Sequence, residues 1–470
     1  MESKDLAELN VDVAVIGAGT AGLAAYRAAR ATTPNVVIIE AGLYGTTCAR
    51  VGCMPSKLLI AAGEAAHHAR HAGPFGVHAS SVVVNGTEVM ARLRAERDRF
   101  VGFVVESVDS IEAGHKLTGR ARFVEPGVLE VAGRRIRARS VVIATGSSPF
   151  VPPMFEGVRD RLVVNDDVFE WSTLPDSVAV FGAGVIGLEI GQALVRLGVR
   201  VRMFGRSGTV GPLTDDTVKA SALAAFREEM PVHPDARVKQ LRRVEGGVEI
   251  TFDDEQGVTH VETFTYALVA AGRKPNLNGL GLEKSGLQLD GRGGPVFDRT
   301  TLLCAGSAEH PVFIAGDAND DVPLLHEAAD EGRIAGLNAA SFPSVTPGLR
   351  RSLLSITFTE PQIAIAGATL ASLAKDDVVV GEINFSDQGR SRVMLQNRGI
   401  GHVYADRQTG RFLGAELVGP RVEHLGHLLA WAHQQQLTVL EMLSMPFYHP
   451  VVEEGLRTAL RDAASKIQKN

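Results

Sequence analysis

Short apolar runs recur along this chain, each ending in an acid or followed within two residues by a glycine: VDVAVI (11–16), VVIIE (36–40), SVVIA (140–144), SVAVF (177–181), YALVAA (266–271) and PVFIA (311–315). Runs of this length bounded by turn residues read as buried strands, apolar on both faces. Between them lie stretches of helical spacing such as LAAYRAARA (23–31) and LEIGQALVRLG (188–198). Strand and helix in alternation predict an α/β fold with parallel sheets. From about residue 346 the texture changes. ITFTEPQIAIAG (356–367) and VVVGEINFSD (378–387) read as strands, GIGHVYADRQTGRFLGAELVGP (399–420) as a hairpin about DRQTG, and VEHLGHLLAWAHQQQLTVLEML (422–443) as helix. This last part predicts an α+β domain without a phosphate loop.

The first strand runs straight into GAGTAG, with Gly17, Gly19 and Gly22, then helix, then a second strand ending at Glu40. That is the dinucleotide fingerprint in the context it requires. The first glycine permits the sharp turn and the second lets a pyrophosphate approach the backbone. The helix start offers unpaired N–H groups and positive dipole to the phosphate, and the acid accepts ribose hydroxyls. The pattern returns at Gly182, Gly184 and Gly187, 165 residues on, so the chain predicts two dinucleotide sites. A tightly held flavin and a visiting nicotinamide are the natural pair. The same offset carries Glu40 onto Gly205, followed by Arg206. A missing acid beside an arginine favours a 2′-phosphate, hence NADP over NAD, although Arg202 and Arg206 also suit a plain solvated face. Thr145–Gly146, Gly272 and Gly316–Asp317 each close a strand where a nucleotide would lie, with the acid placed for a polyol hydroxyl.

The composition is that of a globular protein: 470 residues, 45% hydrophobic and 22% charged, with a net charge of −6 that suits no nucleic-acid surface. The start, MESKDLAELN, reads as neither secretory signal nor transit peptide, and no apolar run is long enough to span a bilayer. The expectation is a cytoplasmic protein. Three cysteines cannot build a disulfide framework for this length. Two of them, Cys48 and Cys53, fall in CARVGCMPSK after a Gly-Thr-Thr turn and before a helical run. Zinc would need a second pair of ligands, so no metal is expected. A pair of inert core cysteines stays open against a redox pair, whose thiolate a helix start would favour. Cys304 reads as an inert strand cysteine. His424 and His427, and the trio His67, His68 and His71, read as polar helix faces.

In order, the first fingerprint, the C-x₄-C with its Pro-Ser-Lys tail, ATG (144–146), the second fingerprint, GRKPN (272–276), GD (316–317) and the C-terminal His-Pro run make the chain resemble, over essentially its whole length, the FAD-dependent pyridine nucleotide–disulfide oxidoreductases. Dihydrolipoamide dehydrogenase, glutathione reductase and mercuric reductase belong to that family, and the first of these is the branch this chain most resembles. The resemblance implies two Rossmann-like FAD- and NAD(P)-binding domains plus a C-terminal α+β dimerisation domain. The expected bounds are 1–150 and 276–345 for FAD, 151–275 for NAD(P) and 346–470 for the dimer. It implies that Cys48 exchanges with substrate while Cys53 faces the flavin. Lys57 would lie near the flavin paired with Glu189, Asp317 would bind the ribityl chain, and Ala121 and Leu325 would offer backbone contacts to FAD. His449, oriented by Glu454, would enter the partner's active site of a homodimer and move the proton of a thiol.

The implied substrate is a small dithiol or disulfide, or the lipoyl domain of a multienzyme complex. Members that reduce mercuric ion resemble chains ending in paired cysteines and carry Tyr in place of His449; here the end is DAASKIQKN. An NADPH-linked reductase of glutathione or another low-molecular-weight disulfide suits Arg206. A redox-sensing flavoprotein without turnover would have no use for His449 and Glu454. One departure from the family stands out: Arg50 occupies the position that relatives fill with Asn.

Overall fold

The computed structural model describes residues 8–306 and 309–467. Packing divides the chain into two compact units: residues 1–55, 95–150 and 273–350 form one, and 56–94, 151–272 and 351–470 the other.

In the first unit the apolar runs form the centre of a seven-stranded sheet. Leu9–Ile16 lies between Val36–Glu40 and Arg134–Ile143, parallel to both. Lys116–Thr118 and Val312–Ile314 extend the parallel part, while Ala121–Glu125 and Val128–Val131 continue it as an antiparallel meander. The helix Thr20–Arg30 packs against a second helix, Leu325–Ser341. They approach so closely that a Cβ on Gly332 or Gly336 would stand 2.1 or 2.2 Å from the carbonyl oxygens of Ala21 and Ala25. Only glycine allows that approach.

The second unit holds a five-stranded parallel sheet, Val232–His233, Arg200–Phe204, Ser177–Phe181, Tyr266–Val269 and Leu162–Val163 in spatial order. A three-stranded antiparallel sheet covers 237–264. The C-terminal part forms a five-stranded antiparallel sheet flanked by the helices Val422–Gln434 and Glu454–Lys466. The α/β class, with two Rossmann-like sheets and a C-terminal α+β part, is as the pattern predicts.

Local details differ. ITFTEPQIAIAG is two antiparallel strands, Leu354–Thr357 and Gln362–Gly367, because Pro361 has no N–H to give a continuous ladder. The long C-terminal helical run is broken: Gln436 turns at φ 54°, and Thr438 caps a separate short helix, Val439–Leu443. The helix Gly86–Asp109 gave no distinct signal in the sequence. Among the described residues no helix is long and apolar enough to cross a membrane.

Within the second unit a buried polar knot joins the nucleotide-type segment to the C-terminal sheet. Glu416, fully buried, accepts hydrogen bonds from Thr214 N and Oγ1 (2.6 Å each), Asp215 N (3.1 Å) and Leu370 N (2.9 Å). Asp215 Oδ2 meets His402 Nδ1 at 2.7 Å and accepts from Tyr404 Oη at 3.1 Å. His402 Nε2 lies 3.2 Å from Glu382. Burial alone would lower the His402 pKa, but the hydrogen bond and charge of Asp215, then Glu382, raise it above the ordinary 6.5. Burial likewise opposes ionisation of Asp215, yet His402 and its other donors bring it down to about 2.

The signs follow from linkage. The histidine's contribution is complete below pH 6.5 and is lost as pH rises through the raised value; the aspartate's is lost only as pH falls toward about 2. His402→Phe is therefore expected to lower stability by about 1–3 kcal/mol in mild acid and by less in alkali. Thermal melts of both proteins across pH 6–9 check this; parallel curves would contradict it.

Candidate active site

The two glycine turns are built alike. Gly17 and Gly182 adopt φ 106° and 122°, and a Cβ on either would stand 2.3 or 2.2 Å from the carbonyl oxygen of Ala144 or Ala270. A Cβ on Gly22 or Gly187 would meet the carbonyl of Gly17 or Gly182 at 1.8 or 1.9 Å. The protein's own backbone thus demands the first and third glycines. The middle ones differ: a Cβ on Gly19 or Gly184 would meet nothing within 4 Å, and each stands as a helix N-cap with no side-chain capping bond. Open space over uncapped N–H groups suits a pyrophosphate.

Around the first turn, Glu40 accepts hydrogen bonds from Ala18 N and Gly42 N, both at 2.7 Å. Asp317 accepts from Ser147 Oγ at 2.7 Å, and Ser147 Oγ also accepts from Arg273 Nε at 2.8 Å. Thr145 Oγ1 is buried with no hydrogen-bond partner beside Gly146, which turns at φ 68°. Such an orphaned buried hydroxyl fits a polar ligand such as FAD. Ala121 is buried at its strand start, and Leu325, half-exposed, begins its helix.

At the second turn the acid is missing for a steric reason. A Cβ on Gly205 would lie 2.7 Å from the carbonyl oxygen of Pro234. Arg202 and Arg206 separate clearly. Arg202 pairs with Glu262 at 2.6 Å and reaches His233 Nε2 at 2.7 Å, whereas Arg206 is exposed, with no ion pair among the described residues. Gly272 turns at φ 100° with open space beyond it.

Cys48 sits half-buried in a short helix, Thr47–Val51, and Cys53, exposed, begins the helix Cys53–Arg70. Gly52 folds back between them, so that a Cβ there would lie 3.3 Å from Cys48 Cα. Thr46, at φ 59°, caps the short helix through Ala49 N, and Arg50 donates back to Tyr44 O at 3.3 Å. Both cysteines therefore lie near helix starts. Lys57 is one turn along from Cys53. Its Nζ lies 2.8 and 2.9 Å from the two carboxylate oxygens of Glu189, a buried residue of the second fingerprint helix Val185–Arg196. Phe358 completes the group: its N–H donates to Glu189 at 2.9 Å and its ring lies 4.5 Å from Lys57 Nζ.

His449 stands 79% exposed, its Nδ1 at 3.0 and 3.1 Å from the Glu454 oxygens. The hydrogen bond from His449 holds the Glu454 carboxyl below its usual range. With Nδ1 engaged, Nε2 is the atom left to exchange a proton.

Elsewhere, Cys304 is buried, and burial pushes its thiol pKa far up, as an inert cysteine requires. His424 and His427 lie on the exposed face of their helix. The trio at 67–71 is not a solvated face throughout. His67 is largely buried, 3.9 Å from Glu229, and burial with the charge of Arg196 lowers its pKa to about 4. The sequence reading also passed over Phe358 and over Glu331, whose Oε2 accepts from Gly316 N at 2.7 Å. An acid within the alanine-rich run of 327–339 was the available signal for Glu331; Phe358 offered none.

A family model described as pyridine nucleotide-disulphide oxidoreductase matches residues 11–332, and that family's dimerisation domain matches residues 354–460. The dihydrolipoyl dehydrogenase of Thermus scotoductus is 31% identical over 95% of this chain and 96% of its own. The mercuric reductase of Shigella flexneri is 30% identical over 95% of this chain and 80% of its own. The crystal structure of LpdA from Mycobacterium tuberculosis superposes with a TM-score of 0.81 at 26% identity, over 96% of this chain and 99% of that one.

The open middle glycine gives a direct test of the first turn. Gly19→Ala is expected to leave stability of the apoprotein within about 0.5 kcal/mol, because its methyl meets nothing. The same methyl is expected to cut the FAD retained on purification, measured by absorbance against protein. Unchanged flavin content would place the pyrophosphate elsewhere.

Proposed function

This chain belongs to the pyridine nucleotide-disulphide oxidoreductase family, and on that footing we propose that it is a dihydrolipoyl dehydrogenase-type enzyme, a homodimer that oxidises a dithiol at the expense of a nicotinamide. The observation that carries the reading is the His449–Glu454 pair, which leaves an imidazole nitrogen exposed for proton transfer. The named relatives of this activity support it.

In this reading the partner subunit's His449 takes a proton from one substrate thiol. The resulting thiolate attacks the Cys48 sulfur of a Cys48–Cys53 disulfide, and Cys53 leaves as a thiolate. The second substrate thiolate then displaces Cys48, giving a cyclic disulfide and the reduced cysteine pair. Bound FAD supplies the two-electron route from that pair to NAD(P). Gly17, Gly19, Gly22, Glu40, Ala121, Thr145, Gly146, Asp317 and Leu325 would hold FAD. Gly182, Gly184, Gly187, Arg206 and Gly272 would hold the nicotinamide nucleotide, and Lys57 with Glu189 would fix the charge beside the flavin. The dithiol is a small molecule or the lipoyl arm of a larger complex.

Arg206 favours a second reading, an NADPH-dependent reductase of a low-molecular-weight disulfide, which uses the same parts in reverse. A panel of dihydrolipoamide, glutathione disulfide and mercuric ion, each with both nicotinamides, separates these. Dihydrolipoamide is expected to give the highest kcat/KM; glutathione disulfide ahead by orders of magnitude would overturn the first reading. His449→Gln is expected to lower kcat by about 10²–10⁴-fold, and Glu454→Gln by less, since the glutamate only orients the imidazole. Arg206→Ala is expected to raise KM for NADPH about tenfold with little change for NADH. Equal effects on both nucleotides would remove Arg206 from 2′-phosphate recognition.

A further inference from the structure

The second fingerprint helix buries three polar side chains on one face: Glu189, Gln192 and Arg196, each 4% exposed. Their spacing of three and then four residues places them in a row along the helix. All three face the turn Phe358–Glu360, which links the first two strands of the C-terminal sheet. Glu189 accepts from Phe358 N at 2.9 Å. Gln192 grips Glu360 by both ends of its amide, accepting from Glu360 N at 2.8 Å and donating to Glu360 O at 2.7 Å. Arg196 donates to the Glu360 carboxylate at 2.8 Å and makes a two-point pair with Glu229 at 2.8 Å. The opposite side of Glu360 meets Gln396 at 3.1 Å and His68 at 3.6 Å.

One member of this array, Phe358, touches the Lys57–Glu189 pair at two points. The Phe358 N–H holds one Glu189 oxygen, and the Phe358 ring carries Lys57 Nζ at 4.5 Å. The turn cannot rotate its Phe358 N–H away without breaking the Glu360 grip two residues later. We propose that Gln192 is a positioning residue: by clamping Glu360 it fixes Phe358, and through Phe358 it sets the place of the Lys57 ammonium. The inference rests on the reading that Lys57 stands beside a bound flavin. Arg196 anchors the far end of the same clamp, and its two carboxylate partners leave no charge unpaired in the buried row.

Gln192→Ala and Lys57→Met, separately and together, test this on the flavin-loaded dimer. Lys57→Met removes the charge, so the absorption band and midpoint potential of the bound flavin are expected to move. Gln192→Ala is expected to move both in the same direction by a smaller amount. It should also lower kcat about tenfold while KM stays within about twofold, because the lost hydrogen bonds, two to Glu360 and one to Glu229, act through position and not through substrate binding. In the Lys57→Met background Gln192→Ala is expected to add nothing to the flavin readouts. A Gln192→Ala protein that melts earlier with unmoved flavin band and potential would overturn the inference, as would full additivity with Lys57→Met. If Lys57→Met itself leaves the flavin unmoved, the placement of Lys57 fails and takes the inference with it. Should Gln192→Ala not fold, Gln192→Met keeps the side-chain volume without any of these hydrogen bonds and stands in the same comparison.

Discussion

Both nucleotide turns depend on a backbone crowding that leaves no room for a side chain. The Gly17 carbonyl is pressed under Gly22, and the Gly17 α-carbon against Ala144, with the same contacts repeated at Gly182, Gly187 and Ala270. That crowding holds the helix start close to the strand end, where its first N–H groups are available to an anion. Once the helix is seated, its far residues are committed as well. In the first unit Ala21 and Ala25 take the close approach of Gly332 and Gly336. In the second, Glu189, Gln192 and Arg196 are carried to one buried face.

The two copies diverge where they leave the shared turn. Glu40 has room and two N–H donors, whereas Gly205 has Pro234 against it. The loss of the acid is therefore built into the packing of the Pro234 segment, and the arginine beside it is exposed, without an ion pair among the described residues. A single backbone contact thus separates the two turns at the acid position on otherwise equal frames.

Much of this was legible because glycine constraints are local. The first triplet with its acid, and the second triplet without one, each sit within one strand–turn–helix–strand unit, so spacing alone reveals them. What stayed hidden depends on residues far apart in the chain. Nothing near Phe358 hints that its N–H belongs to Glu189, 169 residues earlier. Arg202 and Arg206 look equivalent until the neighbouring strands bring Glu262 and His233 to one of them. His67 reads as a solvated residue until Glu229 and Arg196 arrive from another segment. The broken helix at Gln436 is a smaller case: the apolar period runs through it, and only Thr438 with Glu441 marks a new start.

The buried row on the second fingerprint helix bears on why a protein keeps charge inside. Burying Glu189, Gln192 and Arg196 costs solvation that well-packed apolar residues would avoid, and a buried ion pair is seldom more stable than its apolar replacement. Stability is therefore a poor reason for the row. Directional bonds offer what apolar packing lacks, a fixed angle as well as a fixed distance. A leucine at 192 would press on Glu360 from the same side but would let the turn rotate about its own axis. The paired amide grip, with 2.7 and 2.8 Å bonds to one residue's carbonyl and N–H, prevents that rotation. Holding a lysine ammonium over an aromatic ring and against one carboxylate needs that control, since the field of a point charge changes steeply with distance.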